Sequence, residues 1–180
     1  MSETITGDSP MQAVLQVFPG AQRALFRKYH IGGCSSCGFQ PEETLAGVCE
    51  RNGDLPVADV LEQIRQSHEE DARILIEPSD LAKRRDNGAD VRVVDIRSRE
   101  EFEAVHIDGS QLLTQDLMQE ILGSWDNDQL FVIVDHQGNK SLDAAAYYLG
   151  HGMPNVHALR GGIDAWSLEV DSAVRRYTLN

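Results

Sequence analysis

Apolar residues recur at helical spacing in the first 70 residues and in short continuous runs after that point. Spacings of three and four residues place apolar side chains on one face of a helix. The pattern therefore predicts a flexible start over residues 1–10 and a small all-α domain over residues 11–70. Its predicted helices are Met11–Val17, Pro19–Tyr29, a helix that begins around Gln40–Glu43 and is closed by Asn52–Gly53, and Pro56–Ser67.

Short apolar runs alternate with amphipathic segments from residue 73 to residue 180. The run Leu130–Val134 has no polar member, which is typical of a strand buried on both faces. Alternating strands and helices predict an α/β fold, with a parallel sheet flanked by helices. Ligands of such sheets bind beyond the carboxyl ends of the strands, which makes the loop after Val134 a candidate site. The predicted strands are Ile74–Ile76, Val91–Asp95, Leu130–Val134 and Val156–Leu159, and the predicted helices are Ser79–Asn87, Arg99–Ala104, Leu117–Leu122 and a helix capped by Ser141 that ends near Leu149.

Composition narrows the class of protein. The 180 residues carry 16 Lys and Arg against 29 Asp and Glu, a formal net charge of −13, and 41% are hydrophobic, which suffices for a folded core. The acidic balance argues against a nucleic-acid partner, because phosphate backbones need a basic surface. No apolar run approaches the roughly 20 residues that cross a bilayer, so no membrane association is expected. The sequence MSETITGDSP has no secretory signal, and we expect a cytoplasmic protein.

The cysteines are Cys34, Cys37 and Cys49, and the first two lie in the Gly-rich segment GGCSSCGF. An odd number of thiols without an export signal disfavours a disulfide framework. Two residues between the thiols let the sulfurs approach to disulfide distance, and a nearby helix N-terminus stabilises one thiolate. We predict Cys34 as the attacking thiol and Cys37 as the resolving thiol of a redox or sulfur-carrying site.

The same spacing is also half of a zinc or iron–sulfur site. Further ligands would have to come from Cys49, from His30 or from the cysteine pair of a second chain. Cys49 lies on the apolar face of its predicted helix, where a thiol commonly acts as a small hydrophobe. His30 follows a helix, where a C-cap role is common. We predict no metal and no other cofactor, and the metal-binding interpretation stays open as an alternative.

Residues from about 74 to 170 resemble a rhodanese domain. The resemblance rests on three segments in order, VRVVDIRSREEFEAVHIDGS, LFVIVDHQGNKSLDAAAYYL and NVHALRGGIDAW. It implies a rhodanese-like parallel sheet flanked by helices. At the family's motif positions we expect Asp95 and Arg97 to form a structural pair, His106 to make a structural hydrogen bond, and Trp166 to lie in the core.

The resemblance breaks down at the loop after the central strand. Sulfurtransferases of the family carry Cys-x-x-Gly-x-Arg-Ser, whereas this chain reads DHQGNKS, with Asp135 at the cysteine position and Lys140 at the arginine position. Backbone N–H groups of such a loop form an anion nest. A carboxylate can accept those hydrogen bonds but cannot form a stable persulfide. Asp135 either makes the loop a binding element or merely satisfies the nest, and His136 is a weak candidate base. The candidate binding residues of this degenerate loop are Asp135, His136, Gln137, Gly138, Asn139 and Lys140.

Residues from about 10 to 67 resemble the small helical redox-disulfide domain found near hybrid-cluster and iron–sulfur repair proteins. The resemblance rests on VFPGAQRALFRKYHIGGCSSCGF, PEETLAGVCERNG and VADVLEQI, and it implies redox or sulfur handling. The two halves together predict a thiol redox or sulfur-carrier protein with a degenerate rhodanese-like binding domain. Its expected partner is a protein that donates or accepts sulfur or thiols, with a small anion as a further ligand. The enzymatic alternative is a sulfurtransferase that carries persulfide on Cys34.

Overall fold

The computed structural model describes residues 4–32 and 38–177. The chain divides into two compact units, Met1–Arg73 and Ile74–Asn180. Cys34 and Cys37, the predicted thiol pair, lie outside the described residues. Across the described ranges, no helix combines the length and the apolar character needed to cross a bilayer.

The first unit is helical in its described part. Its helices are α1 (Met11–Val17), α2 (Ala21–Tyr29), α3 (Leu45–Arg51) and α4 (Val57–Ile74). Their apolar faces meet in one core, as the spacing of apolar residues predicted. The core includes Met11, Val14, Leu25, Leu45, Val48 and Ile64.

Two helices of this unit begin later than predicted. Pro19 lies in a turn before α2, and Gly20 is the N-cap residue of that helix. The start of α3 is set by Thr44, whose hydroxyl accepts a hydrogen bond of 3.1 Å from the N–H of Gly47. A side-chain cap of this kind stabilises a helix N-terminus more than the dipole interaction expected from Glu43. The carboxylate of Glu43 instead binds Arg51, at 3.0 Å from the guanidinium.

The last helix of the unit ends later than predicted. Helix α4 continues past Ser67 to Ile74, because the intervening HEEDAR segment contains neither glycine nor proline. Within the segment predicted to be flexible, the side chain of Ile5 is buried. The carbonyls of Gly7 and Ser9 accept hydrogen bonds from the first residues of α3, which tie this segment to the core.

The second unit contains a parallel sheet, as predicted. Its strand order is β1-β5-β4-β2-β3, and every strand pair is parallel. Two cores lie on its opposite faces, one around Ile133 and Tyr148 and the other around Val132, Val134 and Trp166. The strands are β1 (Leu75–Ile76), β2 (Arg92–Asp95), β3 (Gln111–Leu112), β4 (Phe131–Val134) and β5 (Val156–Leu159), and the helices are α5 (Pro78–Asp86), α6 (Arg99–Ala104), α7 (Gln115–Gly123), α8 (Lys140–Gly150) and α9 (Gly162–Glu169).

The pattern of apolar residues did not predict β3 or α9, and the prediction that Ser141 caps α8 was wrong. Strand β3 has only two residues, which is too short for a periodic signal. Helix α9 follows Gly161 and has no side-chain cap. Ser141 does not cap α8, because the helix already begins at Lys140 and the Ser141 side chain is buried within its first turn.

Candidate functional site

The carboxylate of Asp135 lies at the centre of the loop that follows β4. Its side chain accepts hydrogen bonds from the N–H of Gly138, from the N–H of Lys140 at 2.7 Å and from the hydroxyl of Ser141 at 3.1 Å. Asp135 is only 5% exposed to solvent. The loop therefore forms an anion nest at the N-terminus of α8, and a side chain of the same loop occupies it.

Gly162, the first residue of α9, allows the loop to pack against that helix. The N–H of Ile163 donates to the carbonyl of Asp135 at 2.9 Å, and the N–H of Asp164 donates to the carbonyl of His136 at 3.1 Å. Gly162 has a φ of +61°, and a Cβ there would lie 2.5 Å from the carbonyl oxygen of Asp135. Only glycine fits this approach.

Gly138 meets a similar constraint on the other side of the loop. Its φ is +88°, and a Cβ there would lie 2.7 Å from the backbone nitrogen of Gly161. The two backbones touch at this point, so any larger side chain would push the N–H of Gly138 away from Asp135. Gly138, which matches the glycine of the family's loop motif, is therefore required here for steric reasons.

The remaining candidate residues of the loop are more exposed than Asp135. His136 is half-buried, and its ring contacts that of Tyr177 with centroids 4.4 Å apart. Its Nδ1 is buried and has no hydrogen-bond partner among the described residues. Gln137, Asn139 and Lys140 are exposed. The loop therefore presents these three residues to solvent while Asp135 faces inward.

Asp95, the last residue of β2, and Arg97 form an ion pair as predicted, and the structure buries it. The guanidinium binds both carboxylate oxygens, with Nη2 at 2.6 Å and Nε at 2.9 and 3.1 Å. The two residues are 1% and 8% exposed. Burial alone would lower the pKa of Arg97, but hydrogen bonds to Asp95 and Tyr177 outweigh burial and raise it. The geometry satisfies both charges, which makes this a structural pair.

Tyr177 connects the ion pair to the loop, a role that the sequence analysis did not predict. Its hydroxyl accepts a hydrogen bond of 2.8 Å from Arg97 and donates one of 2.7 Å to Glu101. Burial and the hydrogen bond to Glu101 raise the pKa of Tyr177. No local signal could have found this residue, since 76 positions separate it from Glu101.

Other predicted residues take the structural roles that we expected. The ring of His106 binds the carbonyl of Phe102 through Nδ1 at 2.8 Å. Trp166 is buried in the core. His30 is the C-cap residue of α2, in the left-handed conformation with a φ of 57°. Cys49 is buried, and burial raises the pKa of its thiol.

The described residues contain no group of three or more His, Cys, Asp or Glu arranged to hold a metal ion. Cys34 and Cys37 lie outside those residues. A metal or an iron–sulfur cluster at that pair therefore stays an alternative prediction.

Comparison with known proteins identifies the class of the second unit. The rhodanese-like domain model matches residues 77–169. The chain is 36% identical over 91 residues to the thiosulfate sulfurtransferase GlpE of Pseudomonas aeruginosa, a match that covers 51% of this chain and 81% of that protein. It is 37% identical over 76 residues to GlpE of Shewanella oneidensis, covering 42% and 75%. The human single-domain sulfurtransferase TSTD1 is a similar solved structure, with a TM-score of 0.48, 18% identity and coverage of 53% and 96%.

The chain belongs to the rhodanese-like domain family, as its sequence motifs predicted. The match lies entirely within the second unit. The resemblance of residues 10–67 to a redox-disulfide domain stays a prediction.

Proposed function

We propose that this protein is a thiol redox or sulfur-carrier protein whose rhodanese-like unit binds and does not catalyse. The observation that supports the proposal is the position of the Asp135 carboxylate, which accepts hydrogen bonds from Gly138, Lys140 and Ser141. The resemblance to the family places a nucleophilic cysteine at this position in sulfurtransferases. The carboxylate thus takes the hydrogen bonds that would otherwise stabilise a thiolate or a persulfide.

Two physical consequences follow for the loop. A carboxylate oxygen cannot take a sulfur atom from thiosulfate to form a stable persulfide, so the loop lacks a sulfur acceptor. The carboxylate also occupies the N–H groups of Gly138 and Lys140, and its negative charge repels an incoming thiosulfate dianion. Binding by this loop then falls to the exposed side chains Gln137, Asn139 and Lys140 and to half-buried His136.

The thiol chemistry is assigned to Cys34 and Cys37. Of the cysteines, Cys49 is only 2% exposed, and burial raises the pKa of its thiol, both of which make a thiol unreactive. The spacing of Cys34 and Cys37 suits reversible disulfide formation. We propose Cys34 as the attacking thiol and Cys37 as the resolving thiol.

The proposed partner is a protein that donates or accepts sulfur or thiols. The formal charge of −13 favours a partner with a basic face and disfavours nucleic acid and anionic membranes. A small anion near Lys140 is a further proposed ligand. A cytoplasmic location suits free thiols of this kind.

The test is the rate of exchange between the reduced protein and a small aromatic disulfide. We expect Cys34→Ser to lose the fast phase and Cys37→Ser to accumulate a mixed disulfide. Cys49→Ala is the matched control, and it should exchange at the wild-type rate because its thiol is buried. A Cys34→Ser variant that exchanges with the disulfide at the wild-type rate would contradict the proposed redox role.

A second candidate function is sulfur transfer through Cys34, and the activity named for the GlpE relatives favours it. The Cys34 thiolate would attack the outer sulfur of thiosulfate, the sulfur–sulfur bond would break, and sulfite would leave. Cyanide would then take the outer sulfur of the persulfide as thiocyanate and regenerate the thiolate. This function requires thiocyanate from the reduced wild-type protein and none from Cys34→Ser.

A third candidate is an iron–sulfur or zinc site at Cys34 and Cys37. Both thiols would then be metal ligands, and the disulfide-exchange and thiocyanate assays would not measure free thiols. Anaerobic purification followed by metal analysis separates it from the thiol functions. A colourless, metal-free chain would contradict the metal site.

A further inference from the structure

The chain continues beyond the family domain and returns to the loop after β4. The rhodanese-like domain model ends at residue 169, whereas the described chain extends to residue 177. We call residues 171–177 the C-terminal brace. Val174 of the brace is 5% exposed and joins the core around Trp166, and its carbonyl accepts a hydrogen bond from the hydroxyl of Ser167. The brace is therefore packed onto the unit.

The brace reaches the loop at a first point through Arg176. Its guanidinium binds the carboxylate of Asp164 at 2.6 and 2.9 Å. The N–H of Asp164 in turn donates to the carbonyl of His136 at 3.1 Å. Arg176 thus binds the residue that holds the backbone of the loop.

A second point of contact is the side chain of Tyr177. Its ring packs edge-on against the ring of His136, with centroids 4.4 Å apart. Its hydroxyl is fixed by Arg97 and Glu101, at 2.8 and 2.7 Å. Arg97 is itself anchored by the buried carboxylate of Asp95. The ring of Tyr177 therefore approaches His136 from a rigid support.

We propose that Tyr177 is a positioning residue for the loop, which holds His136 in place so that the N–H groups of Gly138 and Lys140 stay directed at Asp135. Among the described residues no hydrogen bond to Nδ1 fixes the imidazole of His136, whereas its ring does contact the ring of Tyr177. Residues beyond the family domain thereby control the shape of its loop. This inference goes beyond the proposed function and does not depend on either thiol.

Hydrogen–deuterium exchange of the full chain tests the proposal. Tyr177→Ala should speed exchange of the loop amides at residues 136–141 by about tenfold, since an aromatic contact and two hydrogen bonds are lost. The amides of β4 and β5 should be unchanged. Arg175→Ala is the matched control, because Arg175 is an exposed residue of the same brace. Loop exchange that stays at the wild-type rate in folded Tyr177→Ala would overturn the proposal.

A conservative variant separates positioning from general stability. Tyr177→Phe keeps the ring on His136 and loses only the hydroxyl contacts, so it should restore most of the loop protection. The ring protons of His136 should keep their wild-type chemical shifts in Tyr177→Phe and move in Tyr177→Ala. Equal loop exchange in the two variants, or a His136 spectrum that neither changes, contradicts the proposal. If Tyr177→Ala does not fold, Tyr177→Leu takes its place and should also speed loop exchange, because it removes the aromatic contact with His136.

The experiment is repeated in a Cys34→Ser/Cys37→Ser chain. Loop exchange should respond to Tyr177→Ala to the same extent there, since the contacts of Tyr177 with His136, Arg97 and Glu101 involve no thiol. Failure of the thiol assays with a positive exchange result would refute the proposed function alone. A negative exchange result with normal thiol reactivity would refute the positioning role alone.

Discussion

The N–H of Lys140 donates a hydrogen bond of 2.7 Å to the carboxylate of Asp135, five residues earlier in the chain. Lys140 is the first residue of α8, so this contact places a negative charge at the positive end of a helix dipole. In most anion nests that charge comes from a ligand. Here the charge belongs to the loop itself, and the consequences can be measured.

Removal of the Asp135 side chain should destabilise the second unit. Asp135→Ala leaves the N–H groups of Gly138 and Lys140 and the hydroxyl of Ser141 without their acceptor, which costs about 2–3 kcal/mol in the free energy of unfolding. Urea unfolding measures the loss. Asn139→Ala is the control within the loop, since that side chain makes no capping bond, and it should change stability by less than about 0.5 kcal/mol.

The vacant nest of Asp135→Ala should also bind anions. Sulfate or thiosulfate should raise the melting temperature of this variant more than that of the wild-type protein, because the freed N–H groups gain an acceptor. Chloride at equal ionic strength controls for general salt effects. Equal stabilisation of both proteins would show that Asp135 does not block an anion site.

A cysteine at position 135 should restore part of the family chemistry. Asp135→Cys, combined with Lys140→Arg, places a thiol where the loop N–H groups now bind the carboxylate. In a Cys34→Ser/Cys37→Ser chain, thiocyanate formed from thiosulfate and cyanide would then come from the new thiol, since Cys49 is buried. An inert but folded variant would mean that the loop departs from the family in shape as well as in chemistry.

The buried pair of Asp95 and Arg97 should contribute far more to the free energy of unfolding than an exposed pair. Arg97→Met leaves a carboxylate that is 1% exposed without its cation, at a cost of about 3–5 kcal/mol. Arg99→Ala removes a 3.8 Å pair with Glu103 in which both side chains are 66% exposed, and it should cost less than about 1 kcal/mol. Chemical unfolding of both variants gives the comparison. Similar losses would contradict the assignment of Asp95 and Arg97 as a structural pair.

Acid should lower the stability of the second unit, in part because it protonates the carboxyl of Glu101. Burial raises the pKa of this carboxyl, but hydrogen bonds from Tyr177 and Ser98 outweigh burial and bring it below its usual 4.5. A carboxyl whose pKa is lowered in the folded state stabilises the fold above its unfolded pKa, and this contribution disappears as the pH falls through the folded pKa. Stability should therefore decline below about pH 4.5.

Thermal unfolding of Glu101→Gln between about pH 3 and pH 7 tests the direction of this pH dependence. The range brackets the usual carboxyl pKa values of about 4. The variant should be less stable than the wild-type protein at neutral pH, and the difference should shrink in acid. Glu103→Gln, on the same helix and largely exposed, is the control and should follow the wild-type curve. A difference that grows in acid would contradict the account.

The sequence predicted the features that depend on local pattern. The uninterrupted run at Leu130–Val134 indicated a buried strand, and β4 is Phe131–Val134. The periodicity of Met11–Val17 indicated a helix with the bounds that α1 has. The resemblance of the loop to the family's anion nest implied hydrogen bonds from backbone N–H groups to Asp135, and the structure has them.

Features that depend on distant residues could not be predicted. Tyr177 meets Glu101 and Arg97 only after the sheet and α9 have folded, and nothing in its neighbourhood signals this. The extension of α4 to Ile74 is a different case, because the helix-forming residues after Ser67 are a local signal to which the prediction from apolar spacing gave no weight. The two residues of β3 are defined by their pairing with Val94 and Asp95. Tertiary contacts decide such elements.

The central claim is that thiol chemistry resides at Cys34 and Cys37 while the loop around Asp135 only binds. The most direct measurement is the intact mass of the anaerobically reduced protein after reaction with thiosulfate, followed by peptide mapping and a thiocyanate assay. We predict an added sulfur atom at Cys34 or Cys37, or a disulfide between them formed when Cys37 displaces sulfide from a Cys34 persulfide, and no change in a Cys34→Ser/Cys37→Ser chain. Sulfur transfer at the wild-type rate by that double variant, or an added sulfur that maps to Cys49, would contradict the account.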